Sequence, residues 1–198
     1  MNRVILSAST DETILAVTRQ HKLVDLEIEQ QINTEIVGCI YKGVVKNIVP
    51  AVDSIFVDIG IGKNAFLRRK DLLNEKRFPT EGSPILAQVI KSDTDMKGAL
   101  ITEKISMFGK YAVTLSGTGY IGVSKKIRQE SVRKRLKEIG KEICAEHMGL
   151  IIRTAAENAD MDEFRKDITR LKENWDIIQK RFRMEKSPTL LYRESDII

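Results

Sequence analysis

The segment Tyr41-Lys42-Gly43-Val44-Val45-Lys46-Asn47-Ile48, continued through Asp53-Ser54-Ile55-Phe56-Val57-Asp58-Ile59-Gly60 to Asn64-Ala65-Phe66-Leu67, constrains the fold more than any other part of the chain. Side chains on a strand alternate between two faces, so the segment reads as two strands and a turn. Ile55, Val57 and Ile59 then share one face and take the core, while Phe56 falls in phase with Ser54 and Asp58 on the polar face. An aromatic ring on the wet side of a sheet, with Lys42, Lys46, Lys63 and Lys91 at nearby strand ends, has the makings of a base-stacking platform. Stacking contributes about 1–3 kcal/mol per base, on any base, while lysines hold the backbone. A lone exposed Phe is also an ordinary surface residue, and the ring by itself does not choose between these readings.

Around this segment, residues 37–103 predict five strands, at 38–48, 52–59, 65–68, 84–91 and 97–103. Gly43 suits a bulge that bends a long first strand around a small barrel. Strand 84–91 is apolar on both sides of its alternation (Ile85, Leu86, Ala87, Val89, Ile90), as a central barrel strand is. Five short strands with a brief helical turn between the third and fourth fit an OB fold. Ahead of them, 2–7, 12–18 and 22–28 read as three short strands, with Leu23, Asp25 and Glu27 alternating with Val24, Leu26 and Ile28 in the pattern of a half-buried strand. Residues 29–36 read as a polar linker. Beyond 103 the texture changes. Strands 108–116 and 119–124 are expected to form a hairpin through Gly117-Thr118-Gly119. A helix over 128–142 places Val132, Leu136, Ile139 and Ile143 on one face, and a buried strand follows from Met148 to Arg153. A second helix, over 159–183, carries Met161, Phe164, Ile168, Leu171, Trp175, Ile178 and Phe182 as a core stripe, with a last strand over 189–193. The fold class is α+β: an OB barrel between N-terminal scaffold strands and an α/β domain, with domains at 1–35, 36–103 and 104–198.

Composition narrows function. No run approaches the roughly 20 apolar residues of a membrane span, and the apolar run after Met1 is too short for a signal peptide. Cys39 and Cys144 lie far apart and outside any CxxC pair, the usage of a cytosolic protein with reduced thiols, which predicts a cytoplasmic location. With His21 and His147 as the only histidines, no zinc site assembles from neighbouring ligands. Asp93 with Asp95, and Asp160 with Asp162, are better explained as turn or cap residues than as metal ligands. The net charge is +5. Residues 124–142 alone hold Lys125, Lys126, Arg128, Arg133, Lys134, Arg135, Lys137 and Lys141 against Glu130, Glu138 and Glu142, which matches the whole excess. Helical i,i+4 pairing explains part of this run. Three acids cannot pair eight bases, so a phosphate-facing surface accounts for the rest.

Taken together, Asp25-Leu26-Glu27-Ile28, Ile40-Tyr41-Lys42-Gly43, Phe56-Val57-Asp58 with Ala65-Phe66-Leu67, Lys97-Gly98-Ala99-Leu100, Gly109-Lys110-Tyr111, Gly149-Leu150-Ile151-Ile152-Arg153-Thr154 and Arg193-Glu194-Ser195 resemble the ribonuclease E/G endoribonucleases along the whole chain. The resemblance implies an OB domain of the ribosomal S-one type at 36–103, a 5′-end sensor domain at 104–198, and first strands belonging to a ribonuclease-H-like scaffold. It implies that Phe56, Phe66 and Lys97, with Lys63 and Lys42, guide single-stranded RNA. It also implies that Arg153 and Thr154, with backbone amides at Gly109 and Val113, hold a 5′-monophosphate, and that Lys125, Lys126 and Arg128 are auxiliary basic groups. Such roles suit the chemistry, since an arginine fork binds phosphate bidentately and a hydroxyl and amides complete the shell. The competing explanation for Arg153 is an ion pair with Asp160 or Asp162.

The family's cleavage chemistry belongs to a separate nuclease-fold domain with two magnesium-binding aspartates and a CPxC zinc link. Both are expected beyond Ile198, so no catalytic or metal-binding residue and no cofactor is assigned to this chain, which is expected not to cleave alone. Departures from the family pattern are Ile59, where many members have an aromatic, and Ser124-Lys125-Lys126 in place of Ser-Arg-Arg, which keeps charge but loses the fork. The expected partner is single-stranded RNA with a 5′-monophosphate, bound by a monomer with no membrane span. A non-catalytic RNA chaperone or regulator of the same architecture, and a scaffold whose basic helix binds an acidic protein, are the rival readings.

Overall fold

Alternation in the first thirty residues folds as strands. In the computed structural model, Asn2–Ala8 (β1), Glu12–Arg19 (β2) and Lys22–Gln30 (β3) form an antiparallel meander, Val4 facing Val17 and Ala16 facing Leu26. The structure describes residues 2–8, 12–20, 22–30, 36–94, 97–144 and 148–193, so Asp95, His21, His147, Glu194 and Ser195 lie outside it. The meander is one unit and Val37–Glu194 the other. The half-buried strand expected at 22–28 is not realised as burial: Leu23, Val24 and Leu26 are all exposed, as are Val4, Ile5 and Leu6. A three-stranded sheet has two faces, and this unit supplies no second layer to cover either.

The second unit opens with the barrel. Ile40–Val49 (β4), Ser54–Asp58 (β5), Ala65–Arg68 (β6), Pro84–Lys91 (β7) and Leu100–Thr102 (β8) pair in the order β4-β5-β6-β8-β7, and a β4–β7 ladder closes the ring. Only β6 and β8 run parallel. That is the OB topology, with the short 3-10 turn Arg69–Asp71 between its third and fourth strands. Ile55, Val57 and Ile59 are at most 1% exposed, as alternation requires, and Val45, Leu67, Ala87 and Ile101 join them inside. The bulge expected at Gly43 falls instead at Lys46, where the β4–β5 register shifts between Val45 and Asn47. Gly43 answers a different need. It points inward, where a Cβ would stand 2.5 Å from Val57 Cγ1.

The α/β lobe consists of Ser106–Phe108 (β9), Ala112–Ser116 (β10), Ile121–Val123 (β11), helix Glu130–Ile143 (α1), Met148–Ile152 (β12), helix Met161–Met184 (α2) and Thr189–Tyr192 (β13). Its sheet runs β11-β12-β10-β9. The expected hairpin between β10 and β11 does not form, because β12 inserts between them, antiparallel to β10 and parallel to β11. Residues 118–120 pass over Gly149, whose missing Cβ makes the room: one built there would lie 2.2 Å from Thr118 Oγ1. Asp160 caps α2, its Oδ1 accepting from the amides of Asp162 at 2.8 Å and Glu163 at 3.2 Å. Leu136 and Ile139 of α1 and Phe164, Ile168, Leu171 and Ile178 of α2 are buried, so both helices turn their apolar stripes to the sheet.

Barrel and lobe are not independent. β13 leaves the lobe and pairs antiparallel with β4. Ile40 of β4 and Leu191 of β13 enter the same apolar cluster as Phe164, Leu150 and Leu136. The apolar outer side of β7 is explained by this: Leu86 packs against that cluster, and buried Gln88 donates to Ser106 O at 2.8 Å and accepts from Ser106 N at 2.9 Å. No helix among the described residues is long and apolar enough to cross a membrane.

Candidate nucleic-acid interface

Two surfaces gather the residues singled out from the sequence. On the barrel, register aligns Asn47 of β4, Phe56 of β5, Phe66 of β6 and Leu100 of β8 in one row across the outer face. The Phe56 and Phe66 rings meet edge to face, 5.7 Å apart at 61°, a geometry favoured by the ring quadrupoles. Both are half-buried. Each therefore keeps part of its ring in solvent, on the polar side where alternation put it.

The lysines divide. Lys63 Nζ donates to Thr94 O at 2.9 Å, and the same carbonyl accepts from Lys97 N at 3.2 Å, so Thr94 holds the two lysine-bearing loops together. Ala99, two residues beyond Lys97, accepts from Phe66 N at 2.7 Å. Lys97 is exposed beside the row. Lys42 belongs elsewhere. Its ammonium donates to Phe182 O and Glu185 O, both at 2.7 Å, and lies 5.1 Å from the centre of the Phe182 ring. A cation on the last carbonyls of a helix offsets their partial negative charge, so Lys42 ties β4 to the end of α2 rather than facing the barrel row.

The second surface is an edge of the lobe sheet, and topology builds it. β11 and β12 are parallel, with Val123 opposite Ile152, so the segments after both strands emerge together. β10 is antiparallel to β12, with Ala112 also opposite Ile152, so the turn before β10 reaches the same edge. Ser124-Lys125-Lys126, Arg153-Thr154 and Gly109-Lys110-Tyr111 are thereby brought side by side. Ser124 N donates to Ile152 O at 2.8 Å, and the Ser124 and Thr154 hydroxyl oxygens lie 3.1 Å apart. Arg153 Nη1 donates to Gly109 O at 2.8 Å, and Arg153 N to Tyr111 O at 2.8 Å. Arg153 is exposed, and among the described residues no carboxylate pairs with it. Asp160 is occupied as the α2 cap.

Gly109 joins this edge through its carbonyl, since its amide donates to Ala112 O at 2.8 Å. Val113 sits mid-strand between Ile151 and Phe108. Lys125, Lys126 and Arg128 are exposed. Three participants went unassigned in the sequence. Arg133 Nη1 donates to Ser124 O at 2.7 Å and Ile127 O at 2.9 Å, pinning the loop that carries Lys125 and Lys126. Lys110 Nζ lies 3.3 Å from Glu163 Oε2, which also accepts from Tyr111 Oη at 2.5 Å. The Tyr111 hydroxyl first, and then Lys110, hold the Glu163 carboxylate below its ordinary pKa, while the contacts of Lys110 with Tyr111 and then Glu163 raise its own. Gly-Lys-Tyr and the basic run were visible as motifs. Nothing local said that they would meet.

Sequence comparison places this arrangement. Residues 106–198 match the model of the Ribonuclease E/G family. Ribonuclease G of Escherichia coli strain K12 is 33% identical across 96% of this chain and 42% of its own length. Ribonuclease G of Haemophilus influenzae is likewise 33% identical, with the same coverage. Ribonuclease E of a Synechocystis species is 35% identical across 82% of this chain and 26% of its own. The chain thus spans less than half the length of each of these relatives. By motif order, barrel topology and these matches, the chain belongs to the ribonuclease E/G family.

Proposed function

We propose that this chain binds single-stranded RNA for a ribonuclease E/G-type endonuclease and recognises a 5′-monophosphate end. In this reading residues 1–35 contribute scaffold strands, 36–103 guide the strand across the Phe56–Phe66 row with Lys97 and Lys63, and 104–198 act as the 5′ sensor. The terminal phosphate rests on the Arg153 guanidinium and Thr154 hydroxyl, with Lys125, Lys126 and Arg128 nearby. Cleavage, with its magnesium, is assigned to the part of the relatives that this chain does not span.

The observation that carries the reading is the Arg153 environment: an exposed guanidinium, steadied by a carbonyl rather than neutralised by a carboxylate, next to paired hydroxyls and two lysines. A phosphomonoester carries about −1.5 to −2 at neutral pH and offers three acceptor oxygens, more than any internal diester. A charge-assisted hydrogen bond contributes about 1.5–3 kcal/mol. Fluorescence-anisotropy titration of the full chain with paired 5′-phosphate and 5′-hydroxyl oligonucleotides tests this. A preference of about tenfold or more for the phosphate is expected. Equal affinities would contradict the reading.

A further inference from the structure

The solvent face of the lobe sheet carries a row that no motif in the sequence announces. Register sets Gly122 of β11, Ile151 of β12, Val113 of β10 and Phe108 of β9 side by side. Their chain neighbours Ile152, Ala112 and Met107 are buried, so alternation turns these four outward. Ile151 is 39% exposed and Phe108 55%. Tyr120, 66% exposed, closes the other end, with its ring so placed that a Cβ on Gly122 would stand 2.7 Å from its Cε1. The face therefore reads Tyr120, Ile151, Val113, Phe108, two aromatic rings bracketing two β-branched side chains. Phe108 and Tyr120 are the only two exposed rings among the described residues, and both lie here.

Single exposed apolar residues are ordinary, but a contiguous row beside a polar rim marks a binding surface. The rim is the edge described above. Each strand of the row leads to it within two residues: Phe108 to Lys110, Val113 back to Tyr111, Ile151 to Arg153, Gly122 to Ser124. Two residues of strand cover about 7 Å, within the reach of one nucleotide. A complementary ligand has an anion at one end and a flat, largely apolar body at the other.

We propose that this row seats the bases of the first nucleotides behind the 5′-phosphate, with Phe108 and Tyr120 as stacking partners. The inference rests on the 5′-end reading given above and deepens it: the end is recognised as phosphate plus base. Recognition is tolerant of base identity, because stacking uses the π-face that every base has. Purines, with more surface, are held more tightly.

Four 3′-fluorescein RNA oligonucleotides test it on the full chain: 5′-phosphate or 5′-hydroxyl, each with ordinary or abasic first two nucleotides. Phe108→Ala and Tyr120→Ala are each expected to weaken the base-bearing 5′-phosphate ligand about tenfold, the scale of one lost stack, and to leave the abasic ligands unchanged. Phe108→Trp should retain wild-type affinity. Equal loss on base-bearing and abasic ligands, or no loss on either as for a face that seats a protein segment, would overturn the platform. With the phosphate preference intact, that result leaves the 5′-end reading standing. A Phe108 effect confined to base-bearing ligands, without any phosphate preference in the unsubstituted chain, overturns the 5′-end reading instead.

Discussion

Asp167 of α2, 8% exposed, sits beneath the turn that presents Gly109 to Arg153. A carboxylate so placed is costly unless polar partners replace its water. It has three: Tyr111 N at 2.8 Å, Lys110 N at 3.2 Å and Arg170 Nη2 at 3.3 Å. Asp167→Ala leaves two turn amides without their acceptor. One such orphaned donor costs about 1–3 kcal/mol, so thermal melts should show Tm lower by several degrees. Asp167→Asn, which keeps one acceptor oxygen, should fall between. A Tm for the alanine variant within a degree of wild type would contradict this role. On the solvent side of the same turn, the depressed pKa of Glu163 gives a pH signature. A lowered folded pKa means stability fully present above the unfolded value, near 4.5, and lost as pH falls through the folded one. Tyr111→Phe removes the largest cause of that depression. Wild type should therefore lose more stability than Tyr111→Phe between pH 7 and pH 3, and equal losses would sink the assignment. Neither carboxylate was legible as a turn partner, because 56 residues separate Asp167 from Tyr111.

At the scale of elements, period-two alternation is a local signal, and what depended on it came through. The five barrel strands, the burial of Ile55, Val57 and Ile59, and the outward turn of Phe56 all follow from side chains changing face at each residue. Pairing is not local. Gly117-Thr118-Gly119 reads as a hairpin turn, yet the lobe sheet takes β12 between the two strands, since Gly149 lets the chain cross above it. The sensor-like edge exists only because of that insertion: parallel β11 and β12 deliver Ser124 and Arg153 to one place. Lys42 misled for a related reason, its partners on α2 lying 140 and 143 residues away. Gly149→Ala tests the crossing. An added methyl against Thr118 forces the strand or the loop to shift, and overpacking of this kind costs about 1–3 kcal/mol. A lowered denaturant midpoint with unchanged m-value is expected. An unchanged midpoint would show that the crossing has slack.

Across the molecule, barrel and lobe share one apolar cluster and one strand pairing, β13 with β4, while the base-stacking row lies on the first and the cationic edge on the second. A rigid connection between two contact surfaces lets binding at one position the strand for the other without a further ordering cost. Basic residues alone would hold any RNA backbone, with an affinity set by salt and the number of phosphates neutralised. What distinguishes the account is end recognition at Arg153. The decisive measurement is the ratio of 5′-phosphate to 5′-hydroxyl affinities for wild type and Arg153→Ala, titrated at one fixed salt concentration. The account predicts that the substitution brings the ratio to about one while the 5′-hydroxyl affinity stays nearly unchanged. A ratio that survives the substitution, or an equal loss on both ligands, would contradict it.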